Sequence, residues 1–599
     1  MKTLLKVLGG LVAGVVLLAG VAFVQVWYFK PFSIDIFFEK AFLKAVLDDP
    51  ETLSQLRILE PLGIDFHNDE LSDASVAREL QIAAEVRENL DTLHAYDRAG
   101  LDETDGQSYD ILEWYLQNEV DGERWMYHNY PVNQLFGIQN GLPTFMLSIH
   151  QIDDAEGARD YIARLEKFPV KFGQVLEGLR LRESRGIMPP KFTVDKVLDG
   201  MREFVKPAPT GHVLYTNLRD KVEKIEGLSA DEKTGILAAG EKAVAQAVVP
   251  AYQSLIAYFE SLTGKATANN GVWALPDGDE FYAWCVKNHT TVPLTPDQVH
   301  ETGLAEVARI EAQMDAILRE QGLAQGSVGA RLATLGADPA QLYPDSDEGR
   351  AQILADFQKM IDEISAGLDG AFALKPAVGV DVKRIEPFRE KTAPGAHYLP
   401  APMDKSRKAI FYANLRDVRE VYKWGMRTLA YHEAVPGHHF QIAIAQDLKG
   451  VPTFRTLPLF TVYVEGWALY SEQLAWELGF QKNPLDNLGR LQAEMFRAVR
   501  LVVDTGMHHK RWTREQALAY FLDKTGQPEG DSIAEIERYL VNPGQALAYK
   551  TGMMKIVELR DRLKQQQGDA FDLREFHNRV LGAGPMPVPV LERRVLGSS

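Results

Sequence analysis

Residues 431–441 have the sequence YHEAVPGHHFQ, and the way this stretch folds decides how the surrounding helices are arranged. In the zinc-binding motif H-E-x-x-H, a spacing of four residues places two histidines on one face of a helix. His432 and Glu433 match the first two positions, but Pro436 stands where the second histidine should be. Proline lacks an amide donor and clashes with the carbonyl group four residues earlier. We therefore predict that the helix carrying His432 kinks or ends here.

Two later histidines compete for the second ligand position. In a straight helix His438 would lie roughly two-thirds of a turn from the His432 face, and His439 would share that face about 10 Å further along. Neither position suits two ligands of one metal with bonds of about 2 Å. A bulge at Pro436 and Gly437 would absorb two residues and return His438 to the required place, because glycine tolerates unusual dihedral angles. The sequence favours His438, and His439 stays as the alternative.

A third ligand is expected from residues 460–480, FTVYVEGWALYSEQLAWELGF, which predict a second helix packed beside the first. Glu465 lies in its first turns among large apolar residues, where a carboxylate is costly unless it is paired or bound to a cation. A catalytic zinc takes three protein ligands and leaves a fourth position for water. Glu465 is therefore a candidate ligand. Glu472, seven residues later on the same face, is the reserve candidate.

The composition indicates a large globular protein. The chain has 599 residues, of which 46% are hydrophobic, and a net charge of -18. This acidity argues against a nucleic-acid partner, because a phosphate-binding surface needs clustered Lys and Arg residues. The sequence leaves the oligomeric state open.

Helical patterns dominate, and we predict a mainly α fold with a small β element. Capping boxes, which satisfy the free amide groups of a first helical turn, are predicted at Thr295 with Gln298, Thr513 with Gln516 and Ser532 with Glu535. Apolar residues at helical spacing predict a helix over 415–433. The strand candidates are RIEPFRE, around residue 384, and KAIFYANL at 408–415. Proline and glycine clusters predict loops, including one at 391–402.

The first thirty residues differ from the rest of the chain. Residues 7–28 are apolar except for Gln25. A helix of this length can cross a bilayer. An aromatic cluster follows where a cleavage site would stand, so an uncleaved signal anchor over 1–30 is favoured over a cleaved signal. Lysines before the span place the N-terminus in the cytoplasm. We thus expect a single-pass protein of the inner membrane, with residues 31–599 forming a domain on the periplasmic side and a weak seam near 289–296.

No cysteine lies near the apolar segment, so an N-terminal lipoprotein cysteine is excluded. The single cysteine of the sequence, Cys285, also excludes an intramolecular disulfide. Its aromatic neighbours predict a buried, small apolar residue.

Four separated segments resemble the bacterial domain-of-unknown-function family 885: HEAVPGHHFQ, VEGWALYSEQL, DTGMHHKRWTREQAL and IERYLVNPGQALAYKTG. The likeness extends to LTPDQVHETGLAEVARI and FYANL, and so covers most of the chain beyond the membrane segment. It implies a large helical, zincin-like fold with a deep cleft, distantly similar to helical gluzincin peptidases such as thimet oligopeptidase and Taq carboxypeptidase. It further implies bound Zn²⁺, with His432, His438 and Glu465 as ligands and Glu433 as general base.

The same resemblance points to a tyrosine that stabilises the oxyanion, and Tyr549 is favoured over Tyr539. If Pro543 opens a helix, Gln545 and Tyr549 share one face. Arg538 is the preferred group for holding a substrate carboxylate, because guanidinium binds carboxylate through two hydrogen bonds. Lys550, the other cation of this motif, is the second candidate for holding that carboxylate.

We expect a zinc-dependent hydrolase that cleaves short peptides outside the cytoplasm. Two alternatives stay open. One is a membrane-tethered helical binding protein with a structural or vestigial metal site, although a closed structural site has no use for a free base such as Glu433. The other is hydrolysis of a non-peptide amide or ester, which the same metal and base could perform.

Overall fold

The computed structural model describes residues 20, 24–268, 270–385, 390, 395–403, 405 and 407–597. In this part of the chain the fold is mainly helical, as predicted. The signal anchor expected over 1–30 lies for the most part outside the described residues. No helix in the described ranges combines the length and the apolar composition needed to cross a membrane.

The α-helices follow one another along the whole described chain. Those before the sheet are α1 Ile34–Leu47, α2 Pro50–Leu56, α3 Val76–His94, α4 Glu103–Gly122, α5 Ile138–Ser148, α6 Ala155–Glu166, α7 Phe168–Ser184, α8 Lys191–Val205, α9 Val213–Val222, α10 Ala230–Ala243, α11 Val249–Leu262, α12 Gly278–Thr290, α13 Pro296–Glu320, α14 Val328–Gly336 and α15 Asp347–Ser365. Those after it are α16 Met426–Glu433, α17 His438–Asp447, α18 Thr461–Glu477, α19 Pro484–His508, α20 Arg514–Thr525, α21 Glu529–Val541, α22 Leu547–Gln567, α23 Leu573–Leu581 and α24 Val588–Leu596.

A small sheet separates the two sets of helices, with strands β1 Val380–Arg384, β2 Ala396–Leu399 and β3 Ala409–Ala413 in the order β1-β3-β2. β1 runs parallel to β3, and β2 runs antiparallel to it. The prediction of a strand in 408–415 is confirmed. The other predicted strand begins where β1 ends, and the predicted loop at 391–402 contains β2, because pairing with β3 organises a segment whose own sequence is rich in turn formers.

The capping boxes at Thr295 and Thr513 are confirmed, each with the glutamine three residues later bonded back to it. The box predicted at Ser532 is wrong, because α21 already begins at Glu529. Ser532 lies inside that helix, and its hydroxyl donates to the Pro528 carbonyl oxygen at 2.9 Å. A serine that bonds back within its own helix has the same sequence pattern as a capping serine.

The helix predicted over 415–433 is shorter than expected, because α16 begins only at Met426. Short 3-10 turns cover 418–420 and 423–425, and the Asp417 carboxylate accepts a hydrogen bond from the Arg419 amide. Leu415 and Val418 are nevertheless fully buried. The apolar spacing thus reflects burial of an irregular segment rather than a continuous helix.

The core around α16 combines distant parts of the sequence, from the helices within 34–116 to those within 353–595. Helices within 132–262 pack around a separate set of buried residues. Beneath α16, helices α18 and α22 approach closely at Gly466 and Gly552, where a Cβ atom on Gly466 would lie 2.5 Å from the Gly552 Cα. This contact brings the first turns of α18 and α22 together, and so brings Glu465 near Tyr549.

Candidate metal centre

The centre is built on the break between α16 and α17. The chain leaves the helix at Ala434 and re-enters it at His438, and the Val435–Pro436 peptide is cis. A Cβ atom at Gly437 would overlap the carbonyl oxygen of His432, so only glycine allows the backbone to turn back this tightly. The Pro436 carbonyl oxygen accepts hydrogen bonds from the Trp467 indole at 2.8 Å and the Ser471 hydroxyl at 3.1 Å. Helix α18 therefore fixes the break.

This break brings together His432, His438 and Glu465. The Glu465 Oε2 atom lies 3.4 Å from His438 Nε2 and 3.7 Å from His432 Nε2, and one ligand atom from each of the three residues lies within 4.8 Å of the others. Two ligand atoms at tetrahedral positions about 2.1 Å from one ion would be about 3.4 Å apart. Both histidines are buried, and Glu465 Oε2 is buried without a hydrogen-bond partner. The three side chains could hold one metal ion.

Glu472 occupies a different position from the one expected of a ligand. Its Oε1 atom accepts a hydrogen bond from His432 Nδ1 at 2.7 Å, and the side chain is almost fully buried. Nδ1 donates this hydrogen bond, and Nε2 faces Glu465 and is the atom that could bind a metal. Carboxylates in this position orient a metal-binding histidine and raise its basicity. Glu472, the reserve ligand of the sequence prediction, thus holds the candidate ligand His432 in its orientation.

The electrostatics of the three groups favour a cation. Burial would raise the pKa of Glu465, but the two neighbouring imidazoles outweigh it and hold that pKa well below its usual range. Burial lowers the pKa of His432, whereas the neighbouring carboxylates of Glu465 and Glu472 raise it, with a net result of about 9. Glu465 is therefore ionised at neutral pH, and it attracts a positive charge to a site enclosed by protein.

His439 lies outside this group, although it adjoins His438. Its Nδ1 atom is 3.1 Å from the Tyr398 hydroxyl on β2, and burial lowers its pKa to about 4. Both residues are in the first turn of α17, where successive side chains diverge by about 100°. The structure thus places His438 with His432 and Glu465, and directs His439 towards the sheet.

Glu433 lies at the end of α16, next to His432, with 9% of its surface exposed. Among the described residues, none forms a hydrogen bond or an ion pair with its carboxylate. A mostly buried carboxylate without a partner is able to accept a proton.

Tyr549, Gln545 and Arg538 are close together, but helix α22 begins at Leu547 rather than at Pro543. Arg538 donates hydrogen bonds to Gln545 at 2.7 Å and to Glu535 at 2.9 Å. Burial raises the pKa of Tyr549, and the negative charge of Glu465 raises it further. A hydrogen bond with Gln545 and the positive charge of Arg538 act in the opposite direction. These three residues thus form a connected group next to Glu465.

Lys550 has no free charge to offer a ligand. It is almost fully buried, and its Nζ atom lies 2.6 Å from Glu494 and 2.9 Å from Glu306. Within the described structure Lys550 therefore joins α22 to α13 and α19 through ion pairs, which corrects its reading as a substrate-binding cation.

A family model described as "Bacterial protein of unknown function (DUF885)" matches residues 59–595. The chain belongs to this family. No curated protein matches it.

Two solved structures are similar to this DUF885 protein over almost its full length. A predicted lipoprotein from Colwellia psychrerythraea is 36% identical, with a TM-score of 0.91, covering 94% of this chain and 98% of the other. A predicted lipoprotein of unknown function from Shewanella oneidensis is 18% identical, with a TM-score of 0.72, covering 94% of this chain and 100% of the other. The second likeness shows a shared fold alone.

Sequence reasoning missed Arg500, a buried residue of α19. Its guanidinium carbon lies 4.4 Å from the centre of the Tyr549 ring, and it donates hydrogen bonds to the Tyr539 hydroxyl at 2.9 Å and to Glu535 at 3.1 Å. Arg500 thus supports the face of Tyr549. No local motif marks it, because the contact joins residues far apart in sequence.

Proposed function

We propose that this DUF885 protein is a zinc-dependent peptidase. The observation that carries the proposal is the buried group of His432, His438 and Glu465, in which two imidazoles and one carboxylate converge. Two histidines with one glutamate form a ligand set typical of catalytic zinc, which keeps one position open for water or substrate. The histidine-supporting carboxylate of Glu472 fits the same type of site.

Zinc bound there would polarise a substrate carbonyl and lower the pKa of water to about 7. Glu433 would accept a proton from the attacking water and pass it to the departing amine. The Tyr549 hydroxyl, kept protonated by its raised pKa, would donate a hydrogen bond to the carbonyl oxygen as negative charge develops. Arg500, packed on the Tyr549 ring, would hold that hydroxyl in place. Arg538 and Gln545 would line the substrate side of the same group.

The unpaired carboxylate of Glu433 favours an enzyme over a binding protein with a structural metal site, because such a site needs no free base. Peptides are the favoured substrates because the metal residues and the motifs around them resemble those of helical gluzincin peptidases. Hydrolysis of a non-peptide amide or ester is the second candidate, since the same groups would serve it.

We propose further that the domain works outside the cytoplasm, tethered by the apolar segment at 7–28. Both similar structures are described as lipoproteins, which supports a location on the side of the membrane that faces away from the cytoplasm. Here the single cysteine, Cys285, is buried in α12, so attachment would depend on the apolar segment.

The test compares the purified wild type with two variants, Glu433→Gln and Glu420→Gln. Glu420 is an exposed glutamate in the segment before α16 and serves as the control. Metal content is measured by mass spectrometry, and a peptide library is digested with each protein. We expect bound zinc in all three proteins. We also expect cleavage by the wild type and the control, with a loss of at least about 100-fold in Glu433→Gln. Equal cleavage by Glu433→Gln would rule out its role as base.

A further inference from the structure

A cavity of about 500 Å³ lies between α3, α4, α12 and the turn that follows α21. Its apolar wall is aromatic, formed by Trp125, Phe281 and Trp284. The Phe281 and Trp284 rings are nearly parallel, and Trp125 packs against Phe281 with ring centres 5.7 Å apart. None of the three candidate metal ligands lines this cavity. The cavity is therefore distinct from the candidate metal centre itself.

The polar groups of the cavity that lack a partner are mainly acceptors. Glu119 is exposed and forms no hydrogen bond or ion pair with any described residue. Glu79 Oε1 accepts a hydrogen bond from Arg182 at 2.9 Å, but its buried Oε2 atom has no partner. Both carboxylates line the same space. The Glu79 Oε2 atom is thus removed from water without a donor, which is unfavourable, so this wall is suited to a ligand that offers N–H groups.

His128 adds a third acceptor. Its Nε2 atom lies 2.9 Å from the Pro276 carbonyl oxygen, and a carbonyl accepts only, so Nε2 carries the proton. Burial lowers the pKa of His128, so the ring is neutral at pH 7 and its Nδ1 atom is an acceptor. That atom is buried without a partner. The indole N–H of Trp284 is a donor, also buried and unpartnered.

The charge of the cavity is negative. Arg182 is paired with Glu79, and Arg87 is paired with Glu123, so these charges cancel. Glu119, an exposed residue that lines the cavity, is left as an unbalanced carboxylate beside the aromatic wall. Aromatic faces attract cations, and a carboxylate adds charge-assisted hydrogen bonds.

We propose that this cavity binds a primary ammonium or guanidinium group, supplied by a peptide as its α-ammonium or as a Lys or Arg side chain. The indole N–H of Trp284 would donate to a carbonyl oxygen of the same peptide. As a substrate subsite, the cavity rests on the proposed peptidase function. Asn542 and Pro543 line it, and the chain continues from them into Gln545 and Tyr549.

Binding is tested by calorimetry on the purified full-length protein, with three probes and without any need for activity. Phenylalanine amide supplies an α-ammonium, N-acetyl-lysine amide supplies a side-chain ammonium, and N-acetyl-phenylalanine amide is the neutral control. We expect one or both cationic probes to bind at least tenfold more tightly than the neutral one, and the stronger of the two identifies the source of the charge. Equal binding of all three probes, or no binding, would overturn the proposal.

Glu119→Gln removes the charge and keeps the shape of an exposed side chain. We expect it to weaken binding of the cationic probe about tenfold, the size of one charged hydrogen bond. Glu113→Gln, on the same helix but outside the cavity, should bind like the wild type. Equal weakening in both variants would overturn the assignment to this cavity.

A second measurement separates this proposal from the peptidase function. In the library digest, Glu119→Gln should lose its preference for cationic peptides and still cleave neutral ones, whereas Glu433→Gln should lose cleavage and still bind the probes. Unchanged peptide preference in Glu119→Gln would refute the role as a subsite. Absence of cleavage in the wild type, with probe binding intact, would refute only the peptidase function.

Discussion

His438→Ala and His439→Ala should have opposite effects, although the two residues are adjacent. His438 Nε2 is 3.4 Å from the Glu465 carboxylate, whereas His439 contacts the Tyr398 hydroxyl on the sheet. If His438 is a ligand, its loss removes one of three metal bonds. Loss of His439 removes a hydrogen bond and leaves the three candidate ligands in place.

The expected magnitudes follow from these contacts. Structural zinc sites with four ligands bind with about 10–16 kcal/mol, so one ligand contributes on the order of 3 kcal/mol. His438→Ala should therefore weaken zinc binding at least about 100-fold. His439→Ala leaves the half-buried Tyr398 hydroxyl without this partner, which should lower the free energy of unfolding by about 1 kcal/mol. Its zinc affinity should stay within about threefold of the wild type.

The assay is a competitive zinc titration against a fluorescent chelator at pH 8, paired with thermal unfolding of each protein in excess chelator. His438→Ala is expected to lose affinity with its circular dichroism spectrum unchanged. His439→Ala is expected to unfold at a lower temperature and to retain affinity. The reasoning is refuted if His439→Ala loses zinc while His438→Ala keeps it.

Three further predictions concern the surrounding structure. Gly437→Ala should reduce soluble folded protein and abolish zinc binding, as judged by expression and titration, because its Cβ would overlap the His432 carbonyl; normal binding would contradict this view of the break. Burial raises the pKa of Asp504 from 3.8 to about 7, so the folded state binds its proton more tightly than the unfolded chain. The free energy of unfolding should thus fall by on the order of 2 kcal/mol between pH 5 and pH 8. Urea titrations of Asp504→Asn should show a smaller fall. An identical fall in the wild type and the variant would show that Asp504 does not cause it. Lys550→Met leaves Glu494 buried with less compensation and should cost about 3–5 kcal/mol in urea unfolding; a loss below about 1 kcal/mol would show that the pair contributes little.

The break in the motif could be predicted from sequence because it depends on local chemistry. A proline four residues after His432 forbids a regular helix, and a glycine beside it permits a tight return. The structure has this break, with α16 and α17 on either side. The choice of His438 over His439 followed from the same argument, and the observed positions of the two side chains agree with it.

Roles that depend on the packing of distant segments were less accessible. The sequence puts Glu465 and Glu472 on one face of α18. Which of them faces His432 Nε2 and which bonds to Nδ1 depends on the position of α18 along its axis relative to α16. Arg500 is 49 residues from Tyr549 in the sequence. The residues around it have the spacing of any amphipathic helix, so nothing local marks Arg500. Such contacts become visible only once α19 and α22 are placed side by side.

The most direct measurement is anomalous X-ray scattering at the zinc edge from crystals of the zinc-loaded protein. We predict a single strong peak about 2.0–2.2 Å from His432 Nε2, from His438 Nε2 and from a Glu465 carboxylate oxygen, with one coordination position not filled by protein. A peak bonded to other residues, or no peak among these three side chains, would contradict the proposed metal centre.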